Sequence, residues 1–467
     1  MKLKDHKFSY DREKMIAKTK ESPSWVHFGC GNIFRAFPAR LAESLIGKGL
    51  IDKGIIAVEG YDKEIIDKIY LPNGNISLLV TLSEKVQETI IGSVAEALTF
   101  ENIERLKEIF SAPSLAMLSF TITEKGYSSE EYMAKITGLI YVRFQCGAPP
   151  IAMLSMDNCS NNGDVLKRAV IKAAEKYGDD NFISYIEKLS FPLTMIDKIT
   201  PRPDGSLAKA LSLKGWEDME IVVTEKGTYI APFVNAEECE YLVIEDAFPC
   251  GRPPLDKAGA IFTDRETVTK CEKMKVGACL NPLHTALALF GCLLGFNKIS
   301  DEMADNDFRL LAERVGAEGL PAVDDPVVLK PEEFISDVLT RRLPNPNIPD
   351  SPQRIATDTS QKLSVRFGKT LNFYGEKAKD LTFIPLVIAG WLRYLKAVDD
   401  NGNKFTLSPD PLSDDLFGKT PGEILKMKEI FGVDLYEIDI AEKILEYYDR
   451  MCQGTGSVRR TIHEKVY

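Results

Sequence analysis

A short apolar run, a glycine turn and an amphipathic segment follow one another in "SWVHFGCGNIFRAFPARLAESLIGKG", residues 24–49. Apolar side chains recur near helical spacing after the turn, at Phe34, Phe37, Leu41 and Leu45. The stretch therefore predicts a strand, a tight turn and a helix. This unit is the building block of parallel α/β sheets, so it constrains the fold more than any other feature of the chain.

Strand and helix patterns keep alternating up to about residue 270. Further strand-like runs are "GIIAVEGYD", "SLLVTL", "LAMLSFTIT" and "PIAMLSMDN", and "KEIIDKIYL" is typical of a short helix. Strands that alternate with helices predict an α/β fold, with a largely parallel, doubly wound sheet of Rossmann type.

The pattern becomes helical after that point. Helix candidates are "LHTALALFGCLLG", "DNDFRLLAERVG", "PEEFISDVLTRRL", "LTFIPLVIAGWLRYLKAV" and "DIAEKILEYYDRMCQ". A chain of 467 residues exceeds what one hydrophobic core usually organises. We therefore expect a Rossmann-type dinucleotide-binding domain at 1–270 and a mostly α-helical substrate and catalytic domain at 271–467.

Charge and cysteine usage narrow the classes of partner. The formal net charge is -11, whereas nucleic acids and anionic membranes attract basic surfaces. The N-terminal residues are polar, and the longest apolar run, "FIPLVIAGWL", is about half of a membrane span. Nine cysteines without a CxxC pair indicate reduced thiols and no metal site. We expect a cytoplasmic protein, a monomer or small homo-oligomer, that binds a small molecule and neither nucleic acid nor membrane.

The glycine turn is a candidate cofactor site. Gly29 and Gly31 fit a turn that brings main-chain N–H groups to a pyrophosphate at a helix start, although Phe34 stands where the dinucleotide fingerprint has its third glycine. A purely structural turn is the alternative. Glu59 or Asp62, after the second strand, could accept hydrogen bonds from ribose hydroxyls and disfavour a 2'-phosphate, which favours NAD over NADP.

We place the residues that open the following helix, Asn32, Phe34 and Arg35, at the same cofactor site.

Polar residues stand out in "CEKMKVGACLNPLHTALALFG", residues 271–291, which otherwise has the composition of a buried helix. Asn281 and His284 are three residues apart, so they share one helical face and could reach one oxygen. Such donors stabilise negative charge on an oxygen, and lysine serves as a base when burial or a neighbouring cation lowers its pKa. The alternative is that His284 is a core or capping residue.

Several stretches, in order along nearly the whole chain, resemble the long-chain mannitol dehydrogenase family. They are "HFGCGNIFRAF", "SFTITEKGY", "LSMDNCSNNG", "FPLTMIDKITP", "IEDAFPCGRPPLDKAGAIF", the NxxH of residues 281–284, and "RIATDTSQKL". The resemblance implies a zinc-independent dehydrogenase with an N-terminal nucleotide-binding domain and a helical C-terminal domain.

The resemblance also implies roles for individual residues. Lys275 corresponds to the proton-transferring base, and Asn281 and His284 to the pair that holds the reacting oxygen. Four further positions correspond to substrate-binding residues of the family, namely Asn158, Asp197, Arg354 and Lys362. On a regular helix Arg354 and Lys362 would lie about 80° apart and could share one ligand.

The spacing around Lys275 departs from the family pattern. Five residues, not four, separate Lys275 from Asn281, and Pro282 replaces the customary glycine. On a regular helix Lys275 and His284 would point about 180° apart. We therefore predict a π-bulge or kink between Lys275 and Pro282 that brings the three side chains to one cleft.

The resemblance implies an oxidoreductase that transfers a hydride between NAD(H) and a linear sugar acid or polyol. "TITEKGY", "MDN" and "SQKL" look closest to fructuronate reductases, which favours D-fructuronate and D-mannonate as substrates. A mannitol 2-dehydrogenase or related polyol dehydrogenase is the alternative. The shifted lysine leaves open a third function, a catalytically impaired, NAD-binding regulator.

Overall fold

The computed structural model of the chain describes residues 1–83 and 86–467. The chain divides into two compact units, Met1–Thr269 and Lys270–Tyr467. This division lies one residue before the predicted domain boundary.

The first unit is built around a parallel sheet. Its strands are β1 (Trp25–Phe28), β2 (Ile55–Glu59), β3 (Ser77–Leu82), β4 (Gln87–Ile91), β5 (Val94–Thr99), β6 (Met117–Phe120), β7 (Ala152–Ser155), β8 (Thr194–Asp197), β9 (Val222–Val223), β10 (Tyr229–Ile230), β11 (Phe233–Glu237), β12 (Tyr241–Glu245) and β13 (Ile261–Thr263). Five of them form a sheet in the order β5-β2-β1-β6-β7, with every neighbouring pair parallel. The strand order reverses at β1, as in nucleotide-binding Rossmann folds, which confirms the predicted fold.

Helices cover both faces of this sheet. The helices of the first unit are α1 (Arg12–Glu21), α2 (Asn32–Ala36), α3 (Pro38–Gly47), α4 (Ile103–Ser111), α5 (Thr123–Ser128), α6 (Glu130–Gln145), α7 (Asn162–Ala174), α8 (Asp180–Glu187) and α9 (Gly205–Leu213), with shorter helical turns at Leu3–Asp5, Ile66–Tyr70, Glu175–Tyr177 and Leu255–Ala258. Of these, α9 packs on the sheet that contains β3 and β11.

Alternate residues of β1 point to opposite cores. Trp25 packs in a cluster with Phe34 and Leu41, whereas Val26 and Phe28 pack in a cluster that includes residues of α4, α6 and α7. Successive side chains of a strand face opposite sides, so a sheet covered on both sides has apolar residues throughout. The sheet is therefore doubly wound.

Two local predictions need correction. β3, predicted for the main sheet, pairs instead with β11 and β4 in a separate three-stranded sheet, and β8, β12 and β13 form another. The single helix predicted after the glycine turn is two helices, because Phe37 leaves the helical conformation and Pro38 starts α3. Proline lacks the N–H that would continue α2, but it fits the first turn of a new helix.

The second unit is helical, and every helix candidate named from its sequence contains a helix. The helices are α10 (Arg265–Met274), which crosses the boundary, α11 (Asn281–Leu294), α12 (Ile299–Ala304), α13 (Asn306–Gly319), α14 (Pro331–Asp337), α15 (Pro352–Ile355), α16 (Thr359–Leu363), α17 (Lys369–Tyr374), α18 (Phe383–Tyr394), α19 (Ser413–Leu416), α20 (Pro421–Ile424), α21 (Lys428–Phe431), α22 (Ala441–Met451) and α23 (Ser457–Val466). Shorter turns lie at Lys275–Cys279, Leu320–Ala322, Val338–Arg342, Ser364–Gly368 and Gly375–Asp380.

The central helix of this unit is α11, which packs against α13, α15 and α18. Gly390 of α18 lets the two helices approach closely, because a Cβ atom there would lie 2.5 Å from the ring of Phe290. The stretch Arg265–Leu294 is 30 residues long and apolar enough to cross a membrane, but 83% of its most apolar window is buried inside the protein. It therefore has the burial of a core helix.

Candidate active site

The glycine turn follows β1 and opens α2. Gly29 has a φ of +98°, and a Cβ atom there would lie 2.3 Å from the carbonyl oxygen of Thr121. Any other residue would clash with the main chain that follows β6. Gly31 is the N-cap of α2, and a Cβ atom there would have nothing within 4 Å. The main chain at Gly31 is therefore open to the close approach that a pyrophosphate requires.

Phe34 and Arg35, predicted at the cofactor site, are core residues. Phe34 is fully buried and stacks on the ring of His27 at a centroid distance of 4.0 Å. Arg35 is 1% exposed and donates hydrogen bonds to the carbonyl oxygen of Ala231 and to Oδ1 of Asn32. Both side chains are enclosed by the protein, which corrects the prediction that they contact a cofactor.

Glu59 ends β2 beside the glycine turn. Its Oε2 accepts a hydrogen bond from the N–H of Cys30 at 2.9 Å, and its Oε1 accepts one from the N–H of Tyr61 at 2.7 Å. The carboxylate of Asp62 instead accepts from the hydroxyl of Thr224 at 2.6 Å. Each carboxylate oxygen has two lone pairs, so Glu59 retains capacity for a ribose hydroxyl. Of the two predicted carboxylates, Glu59 is the one bound to the turn.

The β9–β10 hairpin reaches the same region, which the sequence pattern did not indicate. Lys226 donates a hydrogen bond to the carbonyl oxygen of Tyr61, and its ammonium lies 4.4 Å from the centroid of the Tyr61 ring. Tyr61 is 64% exposed. An exposed aromatic ring therefore stands two residues after Glu59, and a cation from the hairpin lies against that ring.

Asn158 and Asp197 lie at strand ends of the first unit. Asn158 is exposed in the loop after β7, and Asp197 is the last residue of β8 and is buried. Asp157, which we did not predict, accepts hydrogen bonds from the N–H groups of Ile122 at 2.9 Å and Thr123 at 3.0 Å. It therefore ties the loop after β7 to the loop after β6, at the edge where doubly wound sheets bind ligands.

A π-helical turn, Lys275–Cys279, joins α10 to α11. The N–H of Leu280 donates to the carbonyl oxygen of Lys275, five residues back, at 3.1 Å, and the α-helical pattern resumes with the N–H of His284. Pro282 lies in the first turn of α11, where its missing N–H needs no partner. The predicted π-bulge is confirmed, and it takes up the extra residue that precedes Asn281.

The three predicted catalytic residues differ in exposure. Lys275 is 2% exposed, so its side chain is not in solvent. Asn281 and His284 stay partly exposed on α11, whereas Pro282 and Leu283 between them are buried. Asn281 and His284 therefore present one accessible face of the helix. That Lys275 joins them at one oxygen stays a prediction.

Asp350 links two of the predicted residues in the second unit. Its Oδ2 lies 2.7 Å from Nε2 of His284, and its Oδ1 accepts a hydrogen bond from the guanidinium of Arg354. Burial by itself raises the pKa of Asp350, but His284 and Arg354 outweigh it and hold the pKa below its usual value. Asp350 is therefore ionised. The sequence pattern did not single out this residue, which stands in a loop rich in proline and asparagine.

Arg354 and Lys362 do not share a regular helix, contrary to the prediction. Arg354 lies in α15 and Lys362 in α16, and Asp358 between them has a φ of +54° that ends the helical path. The side chain of Arg354 is 62% exposed and paired with Asp350. Its charge is therefore already compensated within the protein.

Lys362 has a second cation beside it. Arg366, four residues later, donates a hydrogen bond to Oγ1 of Thr285, the neighbour of His284, and Lys362 donates to the carbonyl oxygen of Thr357. Burial and the charge of Arg366 lower the pKa of Lys362, and burial lowers the pKa of Arg366 to about 10.

Within residues 1–83 and 86–467, neither cation has a carboxylate oxygen at ion-pair distance. We missed Arg366 from the sequence, although its four-residue spacing from Lys362 was a usable signal.

The described part of the chain contains no group of three or more His, Cys, Asp or Glu residues placed to hold a metal ion.

Two family models match the chain. The mannitol dehydrogenase Rossmann domain matches residues 23–257, and the mannitol dehydrogenase C-terminal domain matches residues 267–452. The D-mannonate oxidoreductase of Thermotoga maritima is 46% identical over an alignment that covers 98% of this chain and 95% of that protein.

Two solved structures have a similar fold. D-sorbitol dehydrogenase in its substrate-free form has a TM-score of 0.84 at 24% identity, with 97% of this chain and 96% of that chain covered. The mannitol 2-dehydrogenase of Pseudomonas fluorescens, in a ternary complex with NAD and D-mannitol, has a TM-score of 0.76 at 23% identity, with 98% and 95% covered.

Proposed function

The chain belongs to the mannitol dehydrogenase family, and from this membership we propose that it is an NAD-dependent oxidoreductase that interconverts D-fructuronate and D-mannonate. The relative that is 46% identical is named for mannonate. In the oxidative direction a hydride leaves the alcohol carbon, and a proton leaves the alcohol oxygen for a base on the protein.

The observation that carries the proposal is the π turn in front of α11. Its first residue is a buried lysine, and the helix that follows it has Asn281 and His284 on one accessible face, which supports a common site for the three residues. In the proposed reaction Lys275 accepts the proton of the alcohol, while the Asn281 amide and the His284 ring donate hydrogen bonds to the oxygen. These donors stabilise the negative charge that builds on the oxygen as the proton leaves.

The first unit offers a fitting site for the cofactor. The open main chain at Gly31 admits a pyrophosphate, and Glu59 is fixed next to the turn, where it can accept from the ribose of the adenosine. A 2'-phosphate would be repelled by this carboxylate, which supports NAD over NADP. NAD, when bound, supplies the acceptor for the hydride.

Lys362 and Arg366 support an acidic substrate. They are two partly buried cations on one helical segment, and the described residues place no carboxylate at ion-pair distance from either. A substrate carboxylate would compensate their charge, and guanidinium and ammonium groups bind carboxylates through charge-assisted hydrogen bonds. A neutral polyol would leave the positive charge of Lys362 and Arg366 uncompensated. Asn158 and Asp197 keep their predicted roles in substrate binding as part of this proposal.

The hypothesis of a catalytically impaired regulator was based on the extra residue after Lys275. The π turn accounts for that residue, so this argument for the hypothesis no longer applies. The alternative of a polyol dehydrogenase differs from the proposed function only in the substrate. We propose that the protein works in the cytoplasm, as a monomer or small homo-oligomer. The described residues contain no disulfide, which agrees with this location.

The test compares substrates and cofactors in one set of assays. We expect oxidation of NADH with D-fructuronate at a kcat/KM at least tenfold above that with D-fructose, and a higher kcat/KM with NADH than with NADPH. A preference for D-fructose would establish the polyol alternative. NADH binding, measured by fluorescence, without turnover of any keto sugar would establish the regulator.

A further inference from the structure

Asp350 is shared by two helices of the second unit. Its carboxylate contacts His284 of α11 on one oxygen and Arg354 of α15 on the other. Its side chain is 6% exposed, and its carbonyl oxygen accepts a hydrogen bond from the N–H of Ile299 at 3.0 Å, at the start of α12. The residue is therefore fixed from three sides, which is unusual for an aspartate in a loop.

The contact with His284 is an ion-pair contact and not an aligned hydrogen bond. Nε2 lies 2.7 Å from Oδ2 of Asp350, yet this buried nitrogen has no hydrogen-bond partner of acceptable geometry within residues 1–83 and 86–467. The carboxylate therefore stands beside the N–H direction instead of in front of it.

Glu302 of α12 packs against α11. It packs so closely on Gly291 of α11 that a Cβ atom there would lie 1.9 Å from its Oε1 and 3.0 Å from Pro352, two residues after Asp350. Two ionised carboxylates in this enclosed space would repel each other. The negative charge belongs on Asp350, because Asp350 has His284 and Arg354 as partners and Glu302 has no hydrogen-bond partner among the described residues.

We propose that Asp350 is a positioning residue whose charge holds Nε2 of the His284 ring and the Arg354 guanidinium, so that the ring keeps the orientation in which it faces the reacting oxygen of the substrate. The assignment of that oxygen rests on the proposed function, whereas the position of the ring does not. Replacement of Asp350 would release the ring without removing any group that touches the substrate.

Ring-nitrogen NMR tests the position of the ring without any turnover. The chain has four histidines, so the signals of ¹⁵N-labelled histidine are few, and His284→Gln assigns those of His284. We expect Asp350→Asn to move the Nε2 signal of His284 and to leave the signals of His6, His27 and His463 in place. Unmoved His284 signals would overturn the proposal, even if the protein turned over no keto sugar.

Kinetics test the link to catalysis. We expect Asp350→Asn to lower kcat on the order of 10- to 100-fold, with the KM for NADH unchanged, and Asp350→Glu to recover part of the loss. In a His284→Gln background the same substitution should cost less than about threefold, because the residue through which it acts is absent. An equal loss in both backgrounds would assign Asp350 a structural role only.

The control is Glu313→Gln. Glu313 also lies four residues from an arginine, Arg309, with 2.6 Å between the charged groups, but its side chain is 41% exposed. We expect this variant to keep the kcat and the His284 signals of the unmodified protein.

Discussion

At the scale of single residues, Glu302 shows how strongly the fold controls a carboxyl group. Its side chain has 0% exposure, and both carboxyl oxygens lack a hydrogen-bond partner among the described residues. Burial, and secondly the charge of Asp350, raise the pKa of Glu302 well above its usual value. Glu302 therefore keeps its proton in the folded protein at pH values where an unfolded chain has lost it.

This difference predicts a dependence of stability on pH. Between the unfolded and folded pKa values the folded state binds one proton more, so Glu302 lowers stability as pH rises, by at most about 1.4 kcal/mol per pH unit. Glu302→Gln removes this loss. We expect the Tm of the variant relative to the unmodified protein to be higher at pH 8 than at pH 5, measured by circular dichroism. Glu313→Gln serves as the control, and a Tm difference that is the same at both pH values would contradict the expectation.

Arg366 is the second residue whose role can be tested alone. We expect Arg366→Leu to lower kcat/KM for D-fructuronate by a factor that corresponds to about 1.5–3 kcal/mol of transition-state stabilisation, because a charge-assisted bond to the carboxylate is lost. The value for D-fructose and the KM for NADH should change little. Arg366→Lys keeps the charge, and its kcat/KM for D-fructuronate should lie between the values of the unmodified protein and of Arg366→Leu. Equal losses on the acidic and the neutral substrate would show that Arg366 only holds Thr285 and the helix.

At the scale of elements, the π turn reconciles sequence spacing with catalytic geometry. A regular helix would rotate Lys275 to the far side of His284, whereas the observed π turn takes up one residue between them, as the proposed site requires. Pro282 fits beside it because the first turn of α11 needs no N–H at this position. The element was visible in the sequence only as a mismatch of one residue.

Deletion of one residue tests the π turn. We expect removal of Gly277 to replace the π turn by regular α-helix and to restore the four-residue spacing of the family between Lys275 and Asn281, so that turnover persists. Gly277→Ala is the matched control, because its Cβ atom would meet nothing closer than the carbonyl oxygen of Val365 at 3.7 Å. Loss of turnover in the deletion variant, with NADH binding retained, would show that the π turn does more than take up the extra residue.

At the scale of the whole molecule, the chain consists of two units with separate tasks in the proposed function. The family models meet the same division, since one ends at residue 257 and the other starts at residue 267. The base and the two donors lie in the second unit, and the glycine turn with Glu59 lies in the first. All the groups proposed to move the proton are side chains of this chain.

These proposed side-chain roles predict that the reaction needs no metal ion. Zinc dehydrogenases use a metal to stabilise the alkoxide, whereas in the proposed function Lys275, Asn281 and His284 supply the base and the donors. We expect dialysis against EDTA to leave kcat with D-fructuronate within about twofold of the untreated protein. Loss of activity that added Zn²⁺ restores would contradict this expectation and the roles given to these residues.

The helices and strands were largely predictable from the sequence. The apolar run before Gly29, the helical spacing after it and the helices of residues 270–467 all appear where the pattern placed them. The exceptions were decided by partners. β3 has the pattern of any buried strand, but it joins β11 instead of the main sheet, and nothing in its own residues distinguishes the two positions.

The sequence by itself determined the Rossmann fold and the helical second half, because these depend on side-chain periodicity over a few neighbouring residues, and its departure from the family spacing indicated the π turn. Only the tertiary structure decided that Asp350 faces His284, that Arg366 reaches Thr285 and that Glu302 packs on Gly291. These contacts join residues distant in the chain. They arise from the way the helices of the second unit pack against α11, which local patterns do not encode.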